Sequence, residues 1–69
     1  MSYRYIVRYG HESGVVTGAV AGGYKTESHA ETAAWNILGI GDEDSPIAYS
    51  QVVRVNDDGS EELLGEFEF

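Results

Sequence analysis

The sequence lacks the residues that most often staple or stiffen small proteins. Its 69 residues include no cysteine and one proline, so neither a disulfide framework nor a cysteine-ligated zinc site can form within it. A chain of this size buries only roughly 60% of the surface that its unfolded form exposes. We therefore expect a single α+β domain over residues 1–69, stabilised mainly by one hydrophobic core.

Long hydrophobic runs are also missing. The N-terminal stretch "MSYRYIVRYG" alternates in character and carries Arg4 and Arg8, unlike the apolar stretch of a signal peptide. No segment of the sequence approaches the roughly 20 apolar residues of a membrane-spanning helix. We expect a cytoplasmic protein that does not bind membranes.

Basic residues are few and unevenly placed. Twelve acidic residues stand against four basic ones, for a net charge of −8. Residues 1–25 carry +2, from three bases and one acid, whereas residues 26–69 carry −10, from one base and eleven acids. This charge disfavours direct contact with nucleic acid and favours a basic protein partner. The alternative interpretation is that the acidity serves only solubility, or hydration in a high-salt cytoplasm.

The N-terminal third predicts a first hairpin. In "YRYIVRY", three tyrosines and Val7 fall on one face of a strand, while two arginines and Ile6 fall on the other. The turn formers of "GHESG" follow. The stretch "VVTGAVAGGY" then predicts a second strand, in which glycines mark a bulge or the close approach of another backbone.

The segment "SHAETAAWNILG" predicts the helix. Ser28 and Glu31 have the spacing of a capping box, which would start the helix at Ser28. Gly39 is placed to end it in a left-handed conformation. An apolar stripe of alanines, Ile37 and Leu38 would pack on a sheet. Trp35 lies at the edge of that stripe, where it either folds over the sheet or stays exposed as an anchor for a partner protein.

The C-terminal third predicts a second hairpin, and the side-chain pattern selects its register. A three-residue loop over residues 57–59, with Gly59 in a left-handed conformation, gives one apolar face. The pairs on that face would be Val53 with Leu63, Tyr49 with Phe67, and Ile47 with Phe69. The other face would hold Glu62, Glu66 and Glu68 around Val52 and Leu64. A slip of one residue would exchange the two faces.

Together these elements predict the order β-β-α-β-β. We expect a four-stranded, mainly antiparallel sheet with the helix on its aromatic face and the strand order left open. The predicted core consists of Tyr5, Val7, Ala30, Ala33, Ala34, Ile37, Leu38, Val53, Leu63 and Phe67. The uncovered face would present Ile6, Val52 and Leu64, a surface suited to a homodimer.

Calcium binding at "NDDGSEE" fails the spacing of an EF-hand. With Gly59 at the sixth position of the loop, Arg54 would occupy the first position and Gly65 the twelfth, where carboxylates are needed. A looser cation site would require the aspartates at positions 42 and 44 to approach those at 57 and 58. We expect no bound metal.

Catalytic patterns are equally scarce. His11 and His29 are the only histidines, and the chain has no cysteine, so a zinc site would need acids from distant loops. No nucleophile elbow or phosphate-binding loop can be recognised. We therefore expect a protein that is not an enzyme and that holds no cofactor.

The acidic surface is the leading candidate for function. Its carboxylates would bind a basic protein surface, such as the Lys/Arg groove of a nucleic-acid-binding protein or complex, as a mimic of nucleic acid. The candidate partner-binding residues are Asp42, Glu43, Asp44, Asp57, Asp58, Glu62, Glu66 and Glu68, with Trp35 as a candidate interface anchor. In size, charge and α+β organisation the chain resembles the small phage-encoded inhibitors, including anti-CRISPR proteins. No motif carries the resemblance, so it assigns no residues. The alternative is a structural or assembly module, such as a homodimer.

Overall fold

The structure, a computed structural model, describes residues 3–20, 22–42 and 44–69, apart from the side chains of Asp42 and Ser45. Its elements in chain order are β1 (Arg4–Gly10), β2 (Gly18–Ala19), α1 (Glu27–Ile37), β3 (Gly41–Asp42), β4 (Ser45–Pro46), β5 (Tyr49–Val55) and β6 (Glu61–Glu68). Strands β2, β1, β5 and β6 form a four-stranded antiparallel sheet in that order. The predicted α+β architecture is confirmed, and β1 and β5 are its central strands.

A small ribbon completes the fold. Strands β3 and β4 pair antiparallel between α1 and β5, an addition to the predicted order β-β-α-β-β. Across residues 3–20, 22–42 and 44–69, no helix has the length and apolar character needed to cross a membrane.

The aromatic face of β1 lies under α1, as its alternation predicted. Val7 is fully buried in a cluster with Ala30 and Ala34 of α1 and Val52 of β5. The small alanine side chains let the helix backbone lie close to the sheet. The buried hydroxyl of Ser50 on β5 can therefore donate a hydrogen bond to the Ala34 carbonyl over 2.9 Å. This bond ties the C-terminal part of α1 to a central strand.

The second strand is shorter than predicted. After β2, the chain contacts β1 again at Val20, whose backbone N–H donates over 2.9 Å, and at Tyr24, which exchanges two backbone hydrogen bonds with Tyr5. The ladder is interrupted between these contacts, where Gly22 has a φ of 86°. The positive φ of Gly22 directs the chain out of the ladder, so no long strand forms here.

The helix begins earlier than predicted. Thr26 has an extended backbone and caps the helix, because its Oγ1 accepts a hydrogen bond from the backbone N–H of His29 over 3.2 Å. Ser28 therefore lies inside the first turn, and the capping box predicted for Ser28 and Glu31 is wrong. Gly39 ends the helix with a φ of 83°, as predicted.

The turn of the C-terminal hairpin is confirmed. Gly59 has a φ of 87°, and the N–H of Asn56 donates to the Ser60 carbonyl over 2.9 Å across the loop of residues 57–59. The predicted pairs nearest the turn also form: Val53 lies opposite Leu63 and Arg54 opposite Glu62.

The predicted register fails farther from the turn. One extra residue, Leu64, enters β6, so that Val52 pairs with Gly65 and Ser50 with Phe67. This bulge brings both Leu64 and Phe67 to the α1 side, where they pack against the core. The predicted pairing of Tyr49 with Phe67 is therefore wrong.

The bulge accompanies an exchange of the two predicted faces of β5. Val52 lies opposite Val7 and so faces α1, because residues directly opposite in an antiparallel pair share a face. Val53 points the other way, and Leu63, which was predicted to be in the core, is 51% exposed. The homodimer surface predicted around Val52 and Leu64 does not form, since both residues face the helix.

An ion pair crosses the face of the sheet away from α1. The guanidinium of Arg8 on β1 contacts the Glu61 carboxylate on β6 at 2.6 Å, so the pair crosses β5. Val53 lies midway between the two positions in the register and is 3% exposed. Burial of Val53 beneath long side chains explains how an apolar residue remains on a face without a helix.

Candidate partner-binding site

The helix covers the sheet unevenly. It packs mainly on β1 and β5 and contacts β6 only slightly. A shallow surface depression of about 20 Å³ remains between α1 and β6, and we call it the α1–β6 groove. Its lining residues are Glu27, Glu31, Val52, Leu64, Gly65 and Phe67.

Glu27 and Glu31 of α1 line the α1–β6 groove, and Trp35 continues their helix face beyond it. Glu27, Glu31 and Trp35 are spaced by four residues, so they share a helix face. Both glutamates are exposed. Trp35 is 53% exposed, and its ring centroid lies 4.7 Å from that of Phe67 with the rings tilted by 50°. Trp35 therefore packs on β6 with one side and leaves the other side open to a ligand.

Strand β6 supplies the apolar floor of the groove. Leu64 and Phe67 are half-buried and pack against the core beneath α1. Gly65 lies opposite Val52 and adds no side chain, which keeps the floor low between them. The result is an apolar surface beside two carboxylates.

Strand β6 is also an outer strand of the sheet. Its pairing with β5 is fixed at both ends, by the N–H of Asn56 to the Ser60 carbonyl over 2.9 Å and by the N–H of Phe69 to the Ala48 carbonyl over 3.0 Å. Hydrogen-bonded and non-hydrogen-bonded pairs alternate along an antiparallel ladder. By that alternation, the residues whose backbone N–H and C=O groups point away from β5 are Glu61, Leu63, Glu66 and Glu68.

The acids predicted to form one row on β6 are divided between two faces. Glu62 lies on the α1 side and forms an ion pair with Arg54, whose guanidinium carbon is 4.8 Å from the centre of the Tyr3 ring. Glu66 and Glu68 follow the bulge and lie on the opposite side. The row fails because the bulge reverses the alternation of side chains.

Glu66 and Glu68 flank a buried tyrosine. Tyr49 is 2% exposed, and burial is the main cause that raises the pKa of its hydroxyl. The Gln51 amide, which donates to that hydroxyl over 2.8 Å, acts in the opposite direction, and the two carboxylates raise the pKa further. The hydroxyl of Ser13 donates to Glu68. Tyr49 thus stays neutral beside these carboxylates.

The aspartates at the tip of the β5–β6 hairpin have different surroundings. Asp58 accepts hydrogen bonds from the hydroxyl of Ser60 over 2.6 Å and from its backbone N–H over 2.9 Å, and these bonds lower the pKa of Asp58. Asp57 is exposed. Asp58 therefore stabilises the turn, and Asp57 is left to face solvent.

Asp44, another predicted acid, lies between β3 and β4. Asp44 is exposed there, at the other end of β5 from Asp58. The length of that strand separates them by about 20 Å, so the looser cation site is not assembled from them. Glu43 and the side chain of Asp42 lie outside the described residues. In the part of the chain that the structure describes, no group of three or more histidine, aspartate or glutamate residues is placed to hold a metal ion.

Sequence reasoning missed Glu27 and Glu31 as site residues. Glu31 was assigned to a cap that Thr26 provides, and Glu27 was not singled out. Their spacing of four residues from each other and from Trp35 was a usable signal, since it places all three on one helix face.

Comparison with known proteins assigns the chain to no family. No protein-family model matches the chain, and neither curated proteins nor solved structures give a significant match. The assignment of function therefore rests on the groove, the edge strand and the distribution of charge.

Proposed function

We propose that this protein binds a basic segment of a partner protein through the α1–β6 groove. One observation carries the proposal: the groove combines an apolar floor with the carboxylates of Glu27 and Glu31, and its lining includes no base. Such a combination suits an amphipathic segment whose lysines or arginines lie beside apolar side chains.

The distribution of ion pairs supports this assignment. Arg8 and Arg54 are engaged by Glu61 and Glu62 on β6. Neither ion pair includes the groove carboxylates of α1. At a net charge of −8, the field around the molecule attracts cationic surfaces and accelerates their encounter.

The aromatic groups support binding of protein rather than of isolated cations. Trp35 and Phe67 are in contact, and Trp35 is half-exposed. Tryptophan is among the residues that contribute most to binding energy at interfaces. Trp35 is therefore proposed as the apolar anchor, and the carboxylates are proposed to set the sign of charge on the partner.

In its more specific form, the proposal is that the partner is a nucleic-acid-binding protein. The chain would then act as an inhibitor that mimics nucleic acid, of the phage-encoded kind that its profile resembles. The high density of carboxylates supports this form. Because the acids of β6 are divided between two faces, we assign recognition to the α1 side together with the β6 edge, not to one continuous row.

The test is capture of partners from a host lysate with three immobilised proteins. These are the wild type, a groove variant with Glu27→Gln and Glu31→Gln, and a control variant with Asp44→Asn and Asp57→Asn. Both variants remove two negative charges at exposed positions, so they separate the groove from net charge.

We expect the wild type and the control to retain a basic protein that salt elutes, and the groove variant to retain much less of it. Displacement of that protein by added DNA would support the nucleic-acid-mimic form. Equal retention by all three proteins would contradict binding at the groove.

A further inference from the structure

We propose that the basic segment binds as an additional strand along the outer edge of β6 and extends the sheet from four strands to five. This inference rests on the proposed function and adds a second contact surface, the β6 edge, for the same basic partner. The occupant is an extended segment in which basic and apolar residues alternate.

The backbone of β6 is suited to strand addition. It is an eight-residue strand, the last in the sheet order β2-β1-β5-β6. Its outward N–H and C=O groups, derived above, belong to Glu61, Leu63, Glu66 and Glu68. Main-chain hydrogen bonds to such an edge provide affinity, and pockets for alternate side chains provide specificity.

The side chains on the two faces of β6 select the pattern of the added strand. From Leu64 to Glu68, an added strand would lie next to Leu64 and Phe67 on the α1 side, so apolar residues fit there. On the opposite side of the same stretch it would lie next to Glu66 and Glu68, so lysine or arginine fits there. Before the bulge the pattern is reversed, because Glu62 lies on the α1 side and the exposed Leu63 on the opposite side. Successive residues of a strand point to opposite faces, and alternation of basic and apolar residues satisfies both sides.

The same charges argue against a second copy of this chain at the edge. Pairing β6 with another β6 would bring glutamates close to glutamates, and like charges on neighbouring strands are destabilising. Charged side chains are a common protection of edge strands against self-pairing. A basic strand reverses the sign of that interaction, so the edge that repels its own copy attracts the proposed segment.

The test uses a defined probe, a seven-residue peptide of alternating lysine and valine with blocked ends. The control is the same peptide with N-methyl groups on alternate backbone amides. These groups keep its charge and remove the hydrogen-bond donors along one edge of the peptide strand, the edge meant to face β6. Amide hydrogen exchange of the ¹⁵N-labelled full chain is followed by NMR at saturating peptide and low salt.

We expect the amides of Leu63 and Glu66 to exchange at least about tenfold more slowly with the first peptide than without it. The N-methylated peptide should bind more weakly and protect neither amide. The amides of Val52 and Arg54, which already face β6, serve as internal references for global stability.

Three outcomes would overturn strand addition. Equal binding of both peptides without protection of Leu63 and Glu66 would mean docking by charge alone, and the proposed function would survive. Absence of binding by either peptide at millimolar concentration would also reject strand addition, while lysate capture judges the proposed function separately. Protection of these amides at rising protein concentration without peptide would identify a second copy as the occupant.

Discussion

The two edges of the sheet differ in how they avoid unwanted pairing. Strand β2 has only two residues, and the chain beyond it leaves the ladder at Gly22, where φ is 86°. Strand β6 has eight residues, one bulge near its middle, and four glutamates in "EELLGEFE". Irregular backbone protects the first edge, and charge protects the second.

This difference has a functional consequence. The β2 edge offers an added strand no continuous row of backbone groups, because β2 has only two residues and the chain leaves the ladder at Gly22. A charged edge rejects only strands of like charge. The β6 edge can therefore be selective, and it lies beside the α1–β6 groove, where Trp35 is half-exposed.

The largest expected loss of stability comes from a substitution that disrupts the turn between β1 and β2. A Cβ at Gly10 would overlap the backbone carbonyl oxygen of Val15, so Gly10→Ala must move the turn that leads to β2. We expect a loss of about 3 kcal/mol in the free energy of unfolding, measured by urea denaturation.

Gly14→Ala is the matched control for this prediction. No atom lies within 4 Å of a Cβ at Gly14, but its φ is 78°, so that variant should lose only about 1 kcal/mol. If Gly10→Ala is no more destabilising than Gly14→Ala, the close packing of the β1–β2 turn is not what holds this edge.

The second effect concerns the charge on the β6 edge. Replacement of Glu66 and Glu68 by threonine introduces better strand formers and removes two negative charges. We expect self-association to strengthen by about tenfold, since each like-charge cross-strand pair contributes roughly 0.2–1 kcal/mol. Sedimentation velocity over a concentration series measures it.

A control variant with Glu12→Thr and Asp57→Thr carries the same net charge as the variant with threonine at positions 66 and 68, and it leaves β6 unchanged. It should sediment as the wild type does. Equal self-association of both double variants would show that net charge, not the β6 edge, keeps the copies apart.

The smallest expected effect concerns the turn of the β5–β6 hairpin and its dependence on pH. Hydrogen bonds from Ser60 lower the pKa of Asp58 in the folded protein, so the ionised carboxylate stabilises the fold above the ordinary pKa of about 3.9. That contribution is lost as the pH falls below this value through the folded pKa. Thermal unfolding from pH 6 to pH 2 should therefore show a shallower pH dependence for Asp58→Asn than for the wild type, and Asp57→Asn should not reproduce this change.

Local signals explain what could be predicted from the sequence. The alternation of β1, the left-handed turn at Gly59 and the helix end at Gly39 each depend on neighbouring residues, and the structure has all three. The α+β architecture follows from those elements.

The features that prediction missed depend on contacts between distant residues. No local feature of "VVRV" determines that Val52 faces the helix and Val53 does not. The orientation is determined by the pairing of Val52 with Val7 on β1. The bulge at Leu64 follows the same logic, because it brings both Leu64 and Phe67 to the core. Glu27 and Glu31 become site residues only because α1 leaves β6 partly uncovered.

Trp35 offers the most direct measurement of the central claim. It is the only tryptophan in the chain and lies beside the α1–β6 groove, so its fluorescence reports occupancy of that site. We titrate the wild type, a Glu66→Gln/Glu68→Gln variant and the Asp44→Asn/Asp57→Asn variant with the lysine–valine peptide.

We predict a saturable shift of Trp35 emission to shorter wavelength in the wild type, about tenfold weaker binding by the Glu66→Gln/Glu68→Gln variant, and weaker binding by all three proteins at high salt. The Asp44→Asn/Asp57→Asn variant should bind nearly as the wild type does. Emission that stays constant up to millimolar peptide, or the same affinity in all three proteins, would contradict recognition of a basic strand at the β6 edge.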